Sequence, residues 1–200
     1  MSYSSNPDPY IDTETGVLNN LLGITSTEDL EAAEADITAA AITAIPDQPV
    51  SGSFNLEHLK NIHWELFNAI YSWAGEVRTV EIAKGSTRFA NSDIIEQAAG
   101  RLFEQLHAED LLKSMPRDQY TARLAHYYSE INVLHPFREG NGRTQRVFFS
   151  QLVIEAEYRI AWERLNADES LRACIAAYEG DESLLATMLD ELLEPVITTI

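Results

Sequence analysis

The sequence predicts a mostly α-helical protein with one short β-hairpin. Apolar residues recur three and four positions apart through most of the chain, the spacing that places them along one face of a helix. A clear alternation of apolar and polar residues appears only at 79–83, where it indicates a strand. Proline and glycine separate the periodic segments, so the pattern favours a protein of several separate helices.

The N-terminal part of the sequence predicts an arm and then a helix. Residues 1–15 are polar and rich in turn-forming residues, a composition typical of an extended arm. Thr25 and Glu28 have the spacing of a capping box, which indicates that a helix begins there. Apolar residues at intervals of three and four continue this helix to Ala44, where closely spaced prolines end it. Residues 47–53 are then predicted to form a loop.

A second helix and a hairpin are predicted next. Asn55 can cap the helix, which is predicted to end before Gly75. The residues of its apolar face are Leu56, Leu59, Ile62, Leu66 and Ile70. The alternation at 79–83, a turn at 84–86 and a return strand at 87–90 then predict a short hairpin.

Five further helices are predicted to follow the hairpin. Asn91 or Ser92 caps the first, and Pro116 separates it from the second. Residues 133–141 are predicted to form a loop, and the next helix starts at Gly142. Two more helices close the chain. The apolar residues that define the five are Ile94, Ile95, Ala98, Leu102 and Leu106; Tyr120, Leu124, Tyr127, Tyr128 and Ile131; Phe148, Leu152 and Val153; Leu171, Ile175 and Tyr178; and Leu184, Leu185, Met188, Leu189 and Leu192.

The composition excludes several classes of protein. The 200 residues include 14 Lys and Arg against 32 Asp and Glu, a formal net charge of −18. Surfaces for nucleic acid or anionic membranes need clustered positive charge, so neither partner is expected. Cys174 is the only cysteine, which excludes a disulfide within the chain. We expect a cytoplasmic protein, because no secretory signal and no apolar run near the ~20 residues of a membrane span are visible.

One twelve-residue segment concentrates the residues suited to chemistry. It reads His135-Pro136-Phe137-Arg138-Glu139-Gly140-Asn141-Gly142-Arg143-Thr144-Gln145-Arg146 and places a turn before a helix. Gly140 and Gly142 let a ligand approach the main chain closely. The free N–H groups at the start of a helix and its positive dipole end bind anions. The segment therefore predicts an anion site.

Charged side chains in this segment suit a polyphosphate and its metal ion. Arg143 and Arg146 are three residues apart and lie on one helical face, where two guanidinium groups can bind phosphates. Glu139 offers a carboxylate to Mg²⁺ beside phosphate oxygens. His135 can take a proton from an incoming hydroxyl. Each feature alone is weak, but their occurrence within twelve residues favours a functional site over ordinary solvated side chains.

The segment 135–146 resembles the complete signature HPFx[D/E]GNGRxxR of Fic-domain proteins, at every defining position. Residues 84–89 are similar to the flap of that family. The resemblance implies a Fic fold, a compact helical bundle with a β-hairpin flap. It also implies three parts: an N-terminal arm and helix packed on the core at 1–53, a Fic domain at 54–190, and a C-terminal tail at 191–200.

The resemblance implies adenylyl transfer, in which AMP moves from Mg-ATP to a Tyr, Ser or Thr hydroxyl of a target protein and pyrophosphate is released. By its position in the signature, His135 would be the base that deprotonates the hydroxyl. Glu139 would coordinate Mg²⁺. ATP is thus expected as the substrate and Mg²⁺ as the cofactor.

The same resemblance assigns the phosphate-binding residues. Gly140, Asn141 and Gly142 would surround the α-phosphate, with the Asn141 side chain as a donor. Arg143 and Arg146 would hold the outer phosphates. Attack at phosphorus needs mainly alignment and neutralisation of charge, which agrees with the anion site predicted from the residues themselves.

A target protein is the first partner that the resemblance implies. It would dock on the flap, residues 80–90, as an extended segment added to the edge of the hairpin. Lys84 and Gly85 would line the nucleotide side of the flap, although an ordinary turn explains this pair equally well. Related toxins modify gyrase and topoisomerase IV, so these enzymes are the expected targets by resemblance alone.

The second partner that the resemblance implies is an inhibitor. Many Fic proteins carry a helix with the motif [S/T]xxxE[G/N], whose glutamate pairs with the second signature arginine, here Arg146. Two pairs have this spacing, Thr27 with Glu31 and Thr187 with Glu191, but Ala32 and Leu192 follow them instead of Gly or Asn. The chain therefore resembles the toxins of toxin–antitoxin pairs, and we expect a small antitoxin protein to supply the glutamate.

Two other functions stay open at the level of sequence. One is a Fic-type transferase that uses UMP or phosphocholine as the donated group. The other is a module that binds nucleotide without turnover, which His135 disfavours because a pure binder needs no base. The intact glycines of the loop disfavour a phosphate-transferring relative.

Overall fold

The computed structural model describes residues 8–85 and 87–196, and within them the chain forms a bundle of α-helices with two short β-ladders. The helices are α1 Thr27–Ala44, α2 Leu56–Phe67, α3 Ile95–Ala108, α4 Arg117–Leu134, α5 Asn141–Ile154, α6 Ala167–Tyr178 and α7 Ser183–Leu192. The strands are β1 Ala83–Lys84, β2 Thr87–Arg88, β3 Tyr158–Ile160 and β4 Leu193–Pro195. The mostly helical class predicted from the sequence is confirmed.

The core is centred on α4 and α5. α4 packs against α3, α5, α6 and α7, and α2 packs against α5. The five residues predicted for the apolar face of α4 are all buried. Phe148, Phe149, Leu152 and Val153 of α5 are also buried. Burial of these aromatic and aliphatic side chains fixes α4, which ends just before the segment 135–146, and α5, which contains its second half.

The described part of the N-terminal arm lies on this core. Ile11 and Leu18 form an isolated antiparallel bridge. Tyr10 and Val17 are buried, and the Tyr10 ring packs edge-on against Trp73 with 5.3 Å between the ring centroids. The arm therefore contributes to the apolar interior before α1 begins.

The starts of the first two helices differ in how well the sequence predicts them. Asn55 caps α2 as expected. The capping box predicted at Thr25 and Glu28 is wrong, because Ser26 caps α1 with its side chain accepting the N–H of Asp29 at 3.4 Å. The end of α1 agrees with the prediction.

The predicted cap of α3 is also wrong. A 3₁₀ turn over Ser92–Ile94 precedes α3, and neither Asn91 nor Ser92 makes a side-chain capping bond. The N–H and the hydroxyl of Ser92 both donate to Glu81 Oε1, each at 2.8 Å. Ile94, predicted inside the helix, lies exposed on this turn.

The predicted hairpin is confirmed, but it is shorter than the alternation suggested. β1 pairs antiparallel with β2 over two residues on each strand. The predicted turn residue Ser86 lies outside the described residues. The ladder does not extend back to Val80, because the carbonyl of Val80 accepts a hydrogen bond from Arg78 instead of a strand partner.

The last two helices show that a run of apolar residues does not identify the packed face. α6 packs on α7 and buries Ala173 and Ala177, whose small side chains let the helices approach closely. The two helices lie where the sequence predicts them, but four of the apolar residues that located them are exposed: Leu171, Ile175, Tyr178 and Leu184.

The end of the described chain returns to the helical domain. β4 pairs antiparallel with β3 over three residues, a ladder that the sequence did not predict. β4 lies within the segment predicted as a C-terminal tail, 191–200, of which 197–200 is outside the described residues. Among the described helices, none is both long enough and apolar enough to span a membrane.

Candidate active site

The connection between α4 and α5 is shorter than the loop predicted at 133–141. α4 continues to Leu134 and α5 begins at Asn141, one residue before the predicted start. His135 ends α4 in the left-handed region at φ +43°, and Gly140 precedes α5 at φ +80°. A Cβ at Gly140 would lie 2.3 Å from Phe67 Cζ, so this position needs glycine for space as well as for conformation.

His135 is held in one tautomer. Its Nδ1 lies 3.1 Å from the carbonyl oxygen of Asn132, which can only accept, so Nδ1 carries the proton and Nε2 has a free lone pair. The ring stacks on Phe89 from the flap, with 3.7 Å between the centroids and 12° between the planes. His135 is thus a neutral base whose orientation is fixed from two sides.

Burial lowers the pKa of His135 to about 4, and the positive charges of Arg78 and Lys84 act in the same direction. The ordinary value is about 6.5. His135 therefore stays unprotonated at neutral pH, the form that a base requires.

The start of α5 presents unpaired backbone donors. Among the described residues, the N–H groups of 141–143 have no hydrogen-bond partner. The Asn141 side chain is 7% exposed and is bound to Phe137: its Oδ1 accepts the Phe137 N–H at 2.8 Å, and its Nδ2 donates to the Phe137 carbonyl at 2.7 Å. One of the two N–H donors of the amide is thus used in closing the loop, whereas the backbone N–H groups are free to bind an anion.

Glu139 lies beside these donors. Its Oε1 accepts the N–H of Gly140 at 2.8 Å and lies 3.5 Å from Arg143 Nη2. Oε2 has no hydrogen-bond partner among the described residues, and the side chain is 43% exposed. A partly exposed carboxylate with one free oxygen fits a Mg²⁺ ion, whose other ligands are commonly water and phosphate oxygens.

Arg143 is bound to α1. Its Nη2 forms an ion pair with Glu34, and its Nη1 donates to Thr38 Oγ1 at 3.2 Å. The second carboxylate oxygen of Glu34 accepts the hydroxyl of Tyr71. The guanidinium also lies 4.9 Å above the Phe67 ring. Sequence analysis missed Glu34, because nothing in the helical pattern of α1 distinguishes it from the neighbouring acidic residues.

Arg146 differs from Arg143 in its surroundings. Within the described part of the chain its guanidinium makes no hydrogen bond and no ion pair. Nη1 lies 3.7 Å from the position that a Cβ would take at Gly142, which places the guanidinium next to the start of α5. The structure therefore brings one signature arginine to the anion site without a carboxylate partner.

Lys84 and Gly85 lie on the flap. Lys84 is exposed in β1, and its charge contributes to the low pKa of His135. Gly85 follows in the turn at φ +61°, and no atom lies within 4 Å of the position that a Cβ would take there. The flap thus brings a cation to the side of the site that holds His135.

His63 contacts the loop at Glu139 and Phe137, and sequence analysis did not identify it. Its Nδ1 accepts the N–H of Gly75 at 2.8 Å, so its Nε2 carries a proton and donates to the Glu139 carbonyl at 3.0 Å. The ring stacks on Phe137 with 4.0 Å between centroids. Burial lowers the pKa of His63 to about 4, which keeps it neutral. No spacing in the sequence relates His63 to the segment it supports.

A cleft of about 450 Å³ adjoins Glu139 and Arg143. Its other walls come from the N-terminal arm at 11 and 16–18 and from α1. Its volume lies within the usual range for small-molecule sites.

A sequence model of the Fic/DOC family matches residues 53–153, a span that contains α2, α3, α4, all but the last residue of α5 and every residue of the signature. The chain belongs to the Fic/DOC family.

Named relatives extend the likeness of this Fic domain beyond that span. It is 41% identical over 187 residues to "Protein adenylyltransferase VbhT" of Bartonella schoenbuchensis, a match that covers 94% of this chain and 39% of VbhT. It is 37% identical over 186 residues to "Probable protein adenylyltransferase Fic" of Salmonella typhimurium, with 93% of this chain and 92% of that protein covered.

Solved structures share the fold. The N-terminal Fic domain of a VirB-translocated Bep effector from Bartonella quintana, crystallised with bound ADP, superposes with a TM-score of 0.85. It is 26% identical, and the match covers 93% of this chain and 94% of that one. The predicted Fic fold is therefore confirmed over almost the whole chain.

Proposed function

We propose that this Fic domain is a protein adenylyltransferase, which moves AMP from ATP to a hydroxyl group of a target protein. The observation that carries the proposal is the pairing of two features: the free Nε2 of His135, and the unpaired N–H groups of 141–143 at the start of α5. A base beside an anion site suits attack of a hydroxyl on a phosphate. The names of the relatives point to the same reaction.

In the proposed reaction, His135 accepts the proton of the target hydroxyl on Nε2. The oxygen forms a bond to the α-phosphorus while the bond between that phosphorus and the bridging oxygen breaks, and pyrophosphate leaves. An imidazole with a pKa of about 4 is a weak base in the free protein. The negative charge of a bound triphosphate would raise this pKa and so strengthen the base when substrate is present.

The backbone N–H groups of 141–143 are proposed to bind the α-phosphate, where negative charge increases during attack. Arg146, whose guanidinium is free among the described residues, would bind an outer phosphate. Arg143 would contribute its remaining N–H groups from its fixed position against α1. The Asn141 side chain would hold the turn of the loop through Phe137 and would donate its second amide N–H to the α-phosphate.

Glu139 is the residue proposed to hold Mg²⁺, through its free Oε2. When bound, the ion would neutralise charge on the phosphate oxygens.

The flap, residues 80–90, is the proposed docking site for the target protein. β1 and β2 form only two residue pairs and are exposed or partly exposed, so an extended segment can add to the hairpin edge. Phe89 and Lys84 would place that segment near His135. By family resemblance we propose gyrase and topoisomerase IV as targets and, because the reaction consumes ATP, the cytoplasm as the location.

A separate antitoxin is the proposed regulator. The free guanidinium of Arg146 supports a partner that supplies a glutamate to it. The isolated chain is then expected to be active with ATP. An inactive chain that Glu31→Gly or Glu191→Gly activated would instead show inhibition from within the chain.

The reaction is tested with bacterial lysate and ATP labelled at either the α- or the γ-phosphate. We expect label in protein from the α-position only, and its loss in His135→Ala. His107→Ala, which changes an exposed histidine on α3, is the matched control and should keep the activity. Label from the γ-position would contradict adenylylation. Absence of protein label together with tight ATP binding would favour the module without turnover, and labelling from UTP or a choline donor would favour another transferred group.

A further inference from the structure

Arg78 is a buried cation that the proposed reaction does not use. Its side chain is 1% exposed, and its guanidinium donates to four backbone carbonyls. Nε donates to His135 at 2.8 Å, and Nη1 donates to Val80 at 2.6 Å. Nη2 donates to Ala90 at 2.5 Å and to Leu134 at 3.3 Å.

The four carbonyls belong to two parts of the site. Leu134 and His135 are the end of α4 and the residue that carries the base, whereas Val80 and Ala90 are the two ends of the flap. Only the fork of a guanidinium can donate along these several directions at once. The backbone N–H of Arg78 adds a bond to the Pro136 carbonyl at 2.8 Å. Arg78 thus connects both ends of the flap to the histidine.

The burial of Arg78 is costly, because its guanidinium forms no ion pair within the described residues. Burial lowers the pKa of Arg78 from its usual range, as expected for a desolvated cation. A charge removed from water without a carboxylate partner needs hydrogen bonds to compensate, and carbonyl dipoles supply them here. An apolar side chain could fill the volume but could not join four carbonyls.

We propose that Arg78 is a positioning residue that fixes the flap relative to the catalytic base. The inference rests on the proposed function for the meaning of flap and base, but the connection itself is measurable without turnover. Because the flap ladder has only two residue pairs, its position depends on how its ends are held. Two further hydrogen bonds hold the flap, from the Ser92 N–H to the Glu81 carboxylate and from the Ala90 N–H to the Val133 carbonyl. Neither involves the backbone of His135.

The same residue sets the charge around the base. The charged groups that act on the His135 imidazole are Arg78 and Lys84, while Asn132 and Phe89 contact it as a hydrogen-bond acceptor and a stacking ring. Both charges disfavour the imidazolium. Removing the charge of Arg78 is therefore expected to move the pKa of His135 upward from about 4 toward its ordinary value of about 6.5.

Two variants separate the fork from the charge. Arg78→Lys keeps a cation but cannot join four carbonyls, and Arg78→Gln removes the cation as well. Arg101→Lys, which changes an exposed arginine on α3, is the matched control. Thermal melting of each variant shows first whether it folds.

The first measurement is hydrogen exchange, without any substrate. In Arg78→Lys we expect faster exchange in residues 79–91, with α4 and α5 exchanging as in the wild type. A change spread evenly over the helices, or no change in the flap, would overturn the proposal. Faster exchange spread evenly over the helices would mean that Arg78 stabilises the whole fold and does not position the flap.

The second measurement is the pKa of His135 by NMR, with the signal assigned by its loss in His135→Ala. We expect a rise in Arg78→Gln and a smaller one in Arg78→Lys. An unchanged value in Arg78→Gln contradicts the electrostatic part of the proposal.

The third measurement is adenylyl transfer. We expect kcat/KM for the protein target to fall about 10²-fold in Arg78→Lys, because a small misplacement of reacting groups has effects of that size. The Kd for ATP should stay unchanged, since its phosphates are proposed to bind at 141–146. If the wild type transfers no nucleotide, the proposed function fails, while the exchange and NMR results still decide the role of Arg78. If the wild type is active and Arg78→Lys is as active as Arg101→Lys, the proposed positioning role of Arg78 is overturned.

Discussion

The two sides of the active site are built in opposite ways. The signature side is rigid: Gly140 fits against Phe67, Asn141 is bound twice to Phe137, and His63 supports the loop from below. The flap side has one two-stranded ladder of two residue pairs, its described residues are exposed or partly exposed, and Arg78 binds both of its ends. The proposed phosphate site is therefore already formed in the free protein, whereas the described residues of the flap leave strand edges unpaired, as the proposed docking of a target segment requires.

The largest expected effect is a loss of stability at acid pH, and it arises on the signature side. Folding holds His63 and His135 neutral down to a pKa of about 4, whereas the unfolded chain takes up protons below about 6.5. The unfolded state therefore binds more protons as the pH falls from 6.5 to 4, and the free energy of unfolding falls with it. The linkage amounts to about 3 kcal/mol for each histidine. At pH 7 it contributes nothing.

Urea unfolding at pH 7.0 and 4.5 measures this loss. His135→Asn is the control, because Asn tolerates the left-handed conformation but cannot titrate. We expect it to lose the share of one histidine, about 3 kcal/mol, because His63 and His58, whose pKa values burial also lowers, still titrate. Equal pH dependence of the two proteins would contradict the depressed pKa of His135.

Gly140→Ala should be the most damaging single substitution in the loop. The added Cβ would meet Phe67 at 2.3 Å, and alanine would also be strained at φ +80°. Overpacking and left-handed strain together should lower the free energy of unfolding by about 3 kcal/mol. Nucleotide binding should weaken as well, since the start of α5 would move. Thermal melting and ATP titration check both results, and a variant as stable as the wild type would show that Phe67 can move aside.

Glu34→Ala tests whether α1 belongs to the rigid side. It removes the carboxylate that pairs with Arg143 and accepts from Tyr71, so a largely buried cation and hydroxyl lose their partner. We expect a loss of about 2–3 kcal/mol in the free energy of unfolding. Asp36→Ala, which changes an exposed carboxylate two residues further along the same helix, is the control and should change it by less than about 0.5 kcal/mol. Equal effects would mean that the ion pair adds no stability.

Gly85→Ala is the flap counterpart of Gly140→Ala, and we expect it to have the smallest effect on stability. The glycine has φ +61°, but no atom lies within 4 Å of an added Cβ. Only conformational strain of about 1 kcal/mol is expected, and that should appear as faster exchange in the flap more than as a lower melting temperature. A loss as large as that of Gly140→Ala would remove the contrast between the two sides.

Local patterns predicted most of the fold because they report local forces. Asn55 capped α2 and the face of α4 was buried as the spacing indicated. The errors arose where two neighbouring residues could both cap a helix, as Thr25 and Ser26 can. They also arose where the burial of a residue depended on which helix packs against it. The stripe of Leu171 and Ile175 has helical spacing, but α6 turned its alanines toward α7 instead.

The sequence by itself determined the class of fold, the family and the twelve residues of the signature, because these depend on short-range periodicity and on residues adjacent in the chain. Tertiary structure alone decided which distant residues serve that segment. Glu34 meets Arg143 across 109 positions, His63 meets the carbonyl of Glu139 across 76, and Arg78 reaches His135 across 57. No local pattern encodes such pairs, because each residue acquires its partner only when the helices pack and exclude water around it.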